Sequence, residues 1–304
     1  MTAKGKRVWC YRLLIGMFFF IICSYSPLRP SQTSPYKQIH IPLNIQTGIP
    51  FVRNAKEDQY IVEGFEIDSN EKFYFLAGKA ATVACFSKDG KNLYRRVFPN
   101  FVPGEMHILG NKIYFFEIGP KSLKTLVELD KSNGMFVQQY PRMIAKVLTS
   151  YGCQQLDGYQ FDEFRDSILH ITYIDSGGIE KPKTICFNLK TELIPNCTDH
   201  LGNSPAIDSE SQYEKLGKWG NDYVLGRFDD DNSNKYDLSL RDSANNEIAQ
   251  SFIDRRYLGK PMCGEYCMPK EHRKVRNGKL YMLNRDKSMA EITEIDLAAI
   301  FHIK

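Results

Sequence analysis

An all-β fold, and within that class a β-propeller, is what three features of this 304-residue sequence predict. From residue 61 onward, short runs rich in Ile, Val, Tyr and Phe alternate with clusters of Gly, Asn, Asp and Ser. Almost no stretch carries the periodicity of an amphipathic helix. The runs also line up as copies of one hairpin-centred unit with a period of about 40 to 57 residues.

Four copies are well defined. Residues 71–76 (Glu-Lys-Phe-Tyr-Phe-Leu) precede 82–86 and the turn 87–91, and residues 110–116 precede 125–130 and the turn 131–134. Residues 167–173 precede 184–188, and residues 277–283 precede 291–296. A weaker copy runs from 221–225 to 236–240. Asp89-Gly90 and Asn133-Gly134 supply the positive-φ residues that tight hairpin turns need. A lone sheet of this size leaves a face uncovered, whereas radial stacking of successive sheets covers both. The alternative all-β architecture is a β-sandwich.

The segment Phe65–Arg96 contains Ile67-Asp68, Lys72-Phe73-Tyr74-Phe75 and the run Cys85-Phe86-Ser87-Lys88-Asp89-Gly90-Lys91. It resembles a blade of the six-bladed TolB-like and NHL-like propellers common among exported bacterial proteins. That resemblance spans about two thirds of the chain. It implies six blades, closed by an N-terminal strand near Ile39–Ile45 pairing with the last blade. A WD-repeat propeller is disfavoured, because Trp219 is followed by Gly220 and no WD dipeptide occurs.

The N-terminus places Lys4, Lys6, Arg7 and Arg12 ahead of an apolar run from Leu13 to Cys23, with Pro27 and Pro30 beyond. This is the pattern of a secretory signal, and the run is too short for a comfortable membrane span. The expected organisation is a signal peptide or membrane anchor over 1–26, a tether and entering strand over 27–60, and the propeller over 61–304. Cys23 also raises a lipoprotein site, although Ile22 stands where a small residue is required. The expected location is the periplasm or cell surface, with membrane contact only through the N-terminal segment. The formal charge is +4, yet residues 1–30 hold five bases and no acid, which leaves −1 on the body. A near-neutral body has no general attraction for nucleic acid.

Six cysteines lie in the body, an even number that permits disulfides in an exported chain. The pairs closest in sequence are Cys186 with Cys197 and Cys263 with Cys267. Asp229, Asp231 and Asp237 place oxygen donors at spacings that suit Ca²⁺, but the Gly and Glu of an EF-hand loop are missing, so a solvated loop is the simpler reading. The basic run Lys270 to Lys279, with Arg273, Lys274 and Arg276 at its centre, offers a surface for an anionic sugar, a phosphate or an acidic partner, with a solvated loop as the simpler reading, and Trp219 is a further ligand-binding candidate. No nucleophile elbow, phosphate loop, dinucleotide fingerprint or HExxH motif occurs, so no cofactor is expected. Binding of an envelope protein, peptide or glycan through loops on one face is therefore the functional expectation. A carbohydrate-active hydrolase or lyase with an axial carboxylate site is the alternative.

Overall fold

The structure, a computed structural model, describes residues 34–44, 48–49, 52–54, 59–62, 64–77, 81–98, 103–118, 123–140, 155–161, 168–174, 183–188, 213–228, 235–257, 260–261, 272–286 and 289–303. Two compact units divide at Pro35 and Tyr36, and all the described strands belong to the second.

After β1 (Tyr36–Pro42) and a short ribbon of β2 (Val52–Asn54) with β3 (Gln59–Ile61), the chain lays down antiparallel sheets in sequence order. The first holds β4 (Gly64–Ile67), β5 (Phe73–Ala77), β6 (Thr82–Phe86) and β7 (Asn92–Val97). The second holds β8 (Pro103–Leu109), β9 (Lys112–Ile118), β10 (Leu123–Asp130) and β11 (Phe136–Tyr140). A third holds β12 (Gln155–Phe161), β13 (Ile168–Ile174) and β14 (Lys183–Asn188). The fourth holds β15 (Glu214–Trp219), β16 (Asp222–Phe228), β17 (Lys235–Arg241) and β18 (Glu247–Asp254). In the fifth, β19 (Lys260–Pro261) and β20 (Arg273–Arg276) both pair with β21 (Lys279–Asp286), which pairs with β22 (Met289–Asp296). One turn of helix, α1 (Leu297–Ile300), follows, capped by the Asp296 carboxylate accepting from the Ala299 N–H.

The outer strand of the fifth sheet is β1, paired antiparallel with β22 from Tyr36 opposite Ile295 to Pro42 opposite Met289. A strand from the start of the unit thus completes its last sheet, the closure that the family resemblance implied. Five such sheets occur among the described residues, one for each repeat copy, and a sixth is not seen there.

Among the described residues, apolar clusters join three pairs of sheets face to face. Ile39, Ile41, Leu283 and Ile292 of the fifth sheet pack with Phe73, Phe75 and Phe86 of the first. Tyr74, Val83 and Cys85 of the first pack with Ile113, Phe115 and Val127 of the second, and Val224, Tyr236 and Leu238 of the fourth with Leu280, Met282 and Ile295 of the fifth. Antiparallel sheets laid down in chain order, with the last packed on the first and closed by the N-terminal strand, make this chain a β-propeller. Strands β5 and β6 are buried throughout because they face a neighbouring sheet on each side.

One turn chemistry recurs. Asp68 Oδ1 accepts from the N–H groups of Asn70 and Lys72, Ser87 Oγ from those of Asp89 and Lys91, and Asp242 Oδ1 from those of Ala244 and Asn246. In each case the residue three places on has a positive φ: Glu71 (59°), Gly90 (78°) and Asn245 (67°). The short side chain fixes the turn, and the left-handed residue reverses the chain into the next strand.

Candidate functional site

Two clusters of charged side chains in the described structure are the candidates for a site: the seam where the ring closes, and one face of the fourth sheet.

At the seam, β20 and the turn after it lie beside β4 and the turn after that. Lys274 Nζ meets Glu66 Oε1 at 2.8 Å, and Arg276 Nε donates to the Ile67 carbonyl at 3.2 Å. Asn277 Nδ2 donates to the Ser69 carbonyl at 2.9 Å, and Lys279 Nζ meets Glu71 Oε1 at 2.7 Å. The buried His272 Nε2 lies 2.7 Å from the Val62 carbonyl oxygen. Lys279 also reaches Glu294 Oε1 at 2.9 Å. The β20–β21 turn is the two-residue loop Asn277-Gly278, with φ of 52° and 72°, which fits a type I′ hairpin and sets the register of this polar row.

On its other side the seam meets the fourth sheet. Arg273, 7% exposed, donates from Nη1 to Glu214 Oε2 and to the Tyr236 hydroxyl, both at 3.1 Å, and its guanidinium lies 4.5 Å from the Tyr236 ring centroid. A buried guanidinium is tolerated when a carboxylate and a hydroxyl replace its water in this way. Trp219 stacks on Phe301 at 6.4 Å and borders Gly278.

The basic residues read from the sequence as a ligand surface are therefore brought together, but each is engaged with its own chain. Asp237 accepts from Arg227 Nε at 3.3 Å, while Asp229 and Asp231 lie outside the described residues. So do Cys197, Cys263 and Cys267, and Cys186 is described only by its backbone place in β14. Cys85 is a free, buried thiol whose pKa burial pushes up to about 11. No group of metal-ligating side chains occurs among the described residues, and no described helix is long and apolar enough to cross a membrane.

The seam is pH-sensitive at both extremes. The hydrogen bond from Lys279 holds the Glu71 carboxyl below its usual value of 4.5. Burial lowers the Lys279 ammonium, but the bonds to Glu71 and Glu294 outweigh it and hold the group above 10.5. Glu71 thus stabilises the fold above its ordinary range, and that contribution is lost as pH falls through its lowered value. The Lys279 contribution is complete below 10.5 and is lost as pH rises through its raised value. The stability difference between wild type and Lys279→Met, followed by thermal unfolding, is expected to be flat from about pH 6 to 9 and to shrink on either side.

The second group was missed by the sequence reading because its members lie on four strands and in no motif. Arg227 and Arg241 lie over the ring of Tyr213, at 4.6 and 5.5 Å, and Lys215 and Lys218 over that of Tyr223, at 4.4 and 5.0 Å. Lys235 lies 4.3 Å from the ring centroid of Phe252. Alternation on β16 and β17 was the available signal: Tyr223, Leu225 and Arg227 share one face with Asp237, Ser239 and Arg241, and the opposite face is apolar.

No family model and no curated protein matches the sequence. Among solved structures the chain is similar to BamB from Moraxella catarrhalis, at 10% identity over 85% of this chain and 98% of that one, with a TM-score of 0.38. It is similar to a luciferin-regenerating enzyme at 10% identity, 85% and 95% coverage and a TM-score of 0.38. A streptogramin B lyase gives 11% identity, 86% and 98% coverage and a TM-score of 0.37. All three are β-propeller proteins. The assignment of this chain to that class stands on its own sheet order and closure.

Proposed function

We propose that the chain is an exported cell-envelope β-propeller that binds a protein, peptide or glycan without transforming it. The observation that carries this reading is the pairing of the acids beside β20: Glu66 with Lys274, Glu214 with Arg273, and Glu71 with Lys279. A glycosidase or lyase needs carboxylates directed at a substrate, with one of them able to give up a proton. These carboxylates instead hold neighbouring blades together. Apolar side chains standing outward on the rim, among them Val97, Met135 and Phe252, add contact surface of the kind that suits a macromolecular ligand.

The purified chain is expected to retain a component of fractionated envelope, protein or polysaccharide, in a saturable way and to release it with unchanged mass. New reducing ends or unsaturated sugars in the released material would overturn the reading in favour of a carbohydrate-active enzyme.

A further inference from the structure

Blade faces in a propeller are ordinarily apolar, because each is covered by the next sheet. The fourth sheet obeys this on the side that meets the fifth, with Leu216, Val224, Tyr236, Leu238, Leu240 and Ile253. Its other face is built differently. Three rows cross it: Arg227, Asp237 and Phe252; then Leu225, Ser239 and Gln250; then Tyr223, Arg241 and Glu247. Lys215 and Lys218 stand beside these rows and Lys235 lies opposite Asp254 at their end, so that five cations share the face with three carboxylates. Burying a face of this composition without polar partners would cost far more than its few apolar atoms return.

The face is ordered. Ser239 donates to Glu247 at 3.1 Å, Arg241 Nε donates to Ser239 at 3.1 Å, and Gln250 donates to Glu247 at 2.9 Å. Tyr213 and Tyr223 lie buried beneath the cations. Toward the rim the face is open: the Arg227 side chain is 38% exposed and Phe252 is 47% exposed. Rigid rings underneath and hydrogen bonds alongside hold the positive groups at fixed separations. Such an array favours an anion that presents several charges at matching intervals.

We propose that this face of the fourth blade binds an acidic polysaccharide, carboxylated or sulfated. Its acid groups would pair with Lys235 and add to the ion pairs that Arg227 and Arg241 already make with Asp237 and Glu247, and a sugar ring would pack on Phe252. The proposal rests on the binding function argued above and gives it a place and a ligand class. Single-stranded nucleic acid shares the negative charge but gains its affinity from successive bases on bare aromatic rings. Here each of the three rings carries a cation, and only Phe252 is exposed to solvent.

The test measures binding of the full chain to polygalacturonate, dextran sulfate, neutral dextran and a single-stranded oligonucleotide, with hydrogen exchange of the wild type in the presence of each. Both acidic polysaccharides are expected to bind, more weakly as salt is raised, and to protect β16, β17 and β18, while neutral dextran does neither. Lys235→Glu with Phe252→Ser, both near the rim, is expected to weaken binding about tenfold or more while leaving the melting temperature close to that of wild type. Protection confined to other sheets, unchanged affinity in the double variant, or an oligonucleotide that binds as tightly as polygalacturonate would overturn the proposal. If an envelope component binds but the protection maps elsewhere, this inference fails and the binding function stands. If ligand is cleaved, the binding function itself fails.

Discussion

Replacing Ile41 by Ala is expected to destabilise the propeller by about 2–5 kcal/mol, the range for truncating a fully buried aliphatic side chain, and to open it first at one place. Ile41 has no solvent exposure, and it packs with Ile39 and Ile292 against the phenylalanines of the first sheet. Cavity formation alone would weaken any core, but β1 also carries the ring closure. It is joined to β22 by pairing that runs from Tyr36 opposite Ile295 to Pro42 opposite Met289, near the two ends of the described chain, and its removal turns β22 into an open edge. Hydrogen exchange should therefore rise on β22 and β1 well before it rises on β9 and β10, which are neighbours in one hairpin. His40→Gln serves as the control. Its side chain is 44% exposed and meets the Glu291 carboxylate at 3.3 Å, and because glutamine can still donate to that carboxylate the loss should stay near about 1 kcal/mol. Equal acceleration of exchange in all sheets of Ile41→Ala would show that β1 is ordinary core and not a latch.

What the sequence made legible was local. The central hairpins of the first, second and fifth sheets stand where the repeat copies predicted, because two short apolar runs and a turn residue between them are all such a hairpin requires. Gly90 and Gly134 adopt the positive φ expected of them. The fourth sheet read weakly for a physical reason: one face of β16 and β17 carries Arg227, Asp237, Ser239 and Arg241, which breaks up the apolar runs that mark the other hairpins.

The seam was not legible, because its partners are 208 to 210 residues apart and each half alone reads as a solvated charge run. One trace of it is present in the sequence. Glu66 and Glu71 have the same spacing as Lys274 and Lys279, so a single offset of 208 joins both pairs. The buried state of Arg273 had no such trace. It depends on Glu214 and Tyr236, which come from two strands of a different sheet.

That last cluster gives the other large effect, at a residue with no side chain. A Cβ on Gly226 would stand inside contact distance of the Tyr236 ring and hydroxyl. Gly226 pairs with Leu238, and the Tyr236 side chain crosses the gap that the glycine leaves before its hydroxyl reaches Arg273. The ring cannot swing out, because Tyr236 is fully buried between the fourth and fifth sheets. Gly226→Ala therefore forces the ring off Arg273. It combines overpacking, at about 1–3 kcal/mol, with a stranded polar contact, at about 1–3 kcal/mol. The expected loss is about 3 kcal/mol, seen as a lower midpoint in denaturant with an unchanged slope. Tyr236→Phe removes the hydroxyl, and with it both the hydrogen bond from Arg273 and one of the atoms nearest the new methyl. The Gly226→Ala penalty should accordingly shrink by at least about 1 kcal/mol in the Tyr236→Phe background. If the two substitutions add to within about 0.5 kcal/mol, as independent sites do, the glycine is not what seats Tyr236 on Arg273.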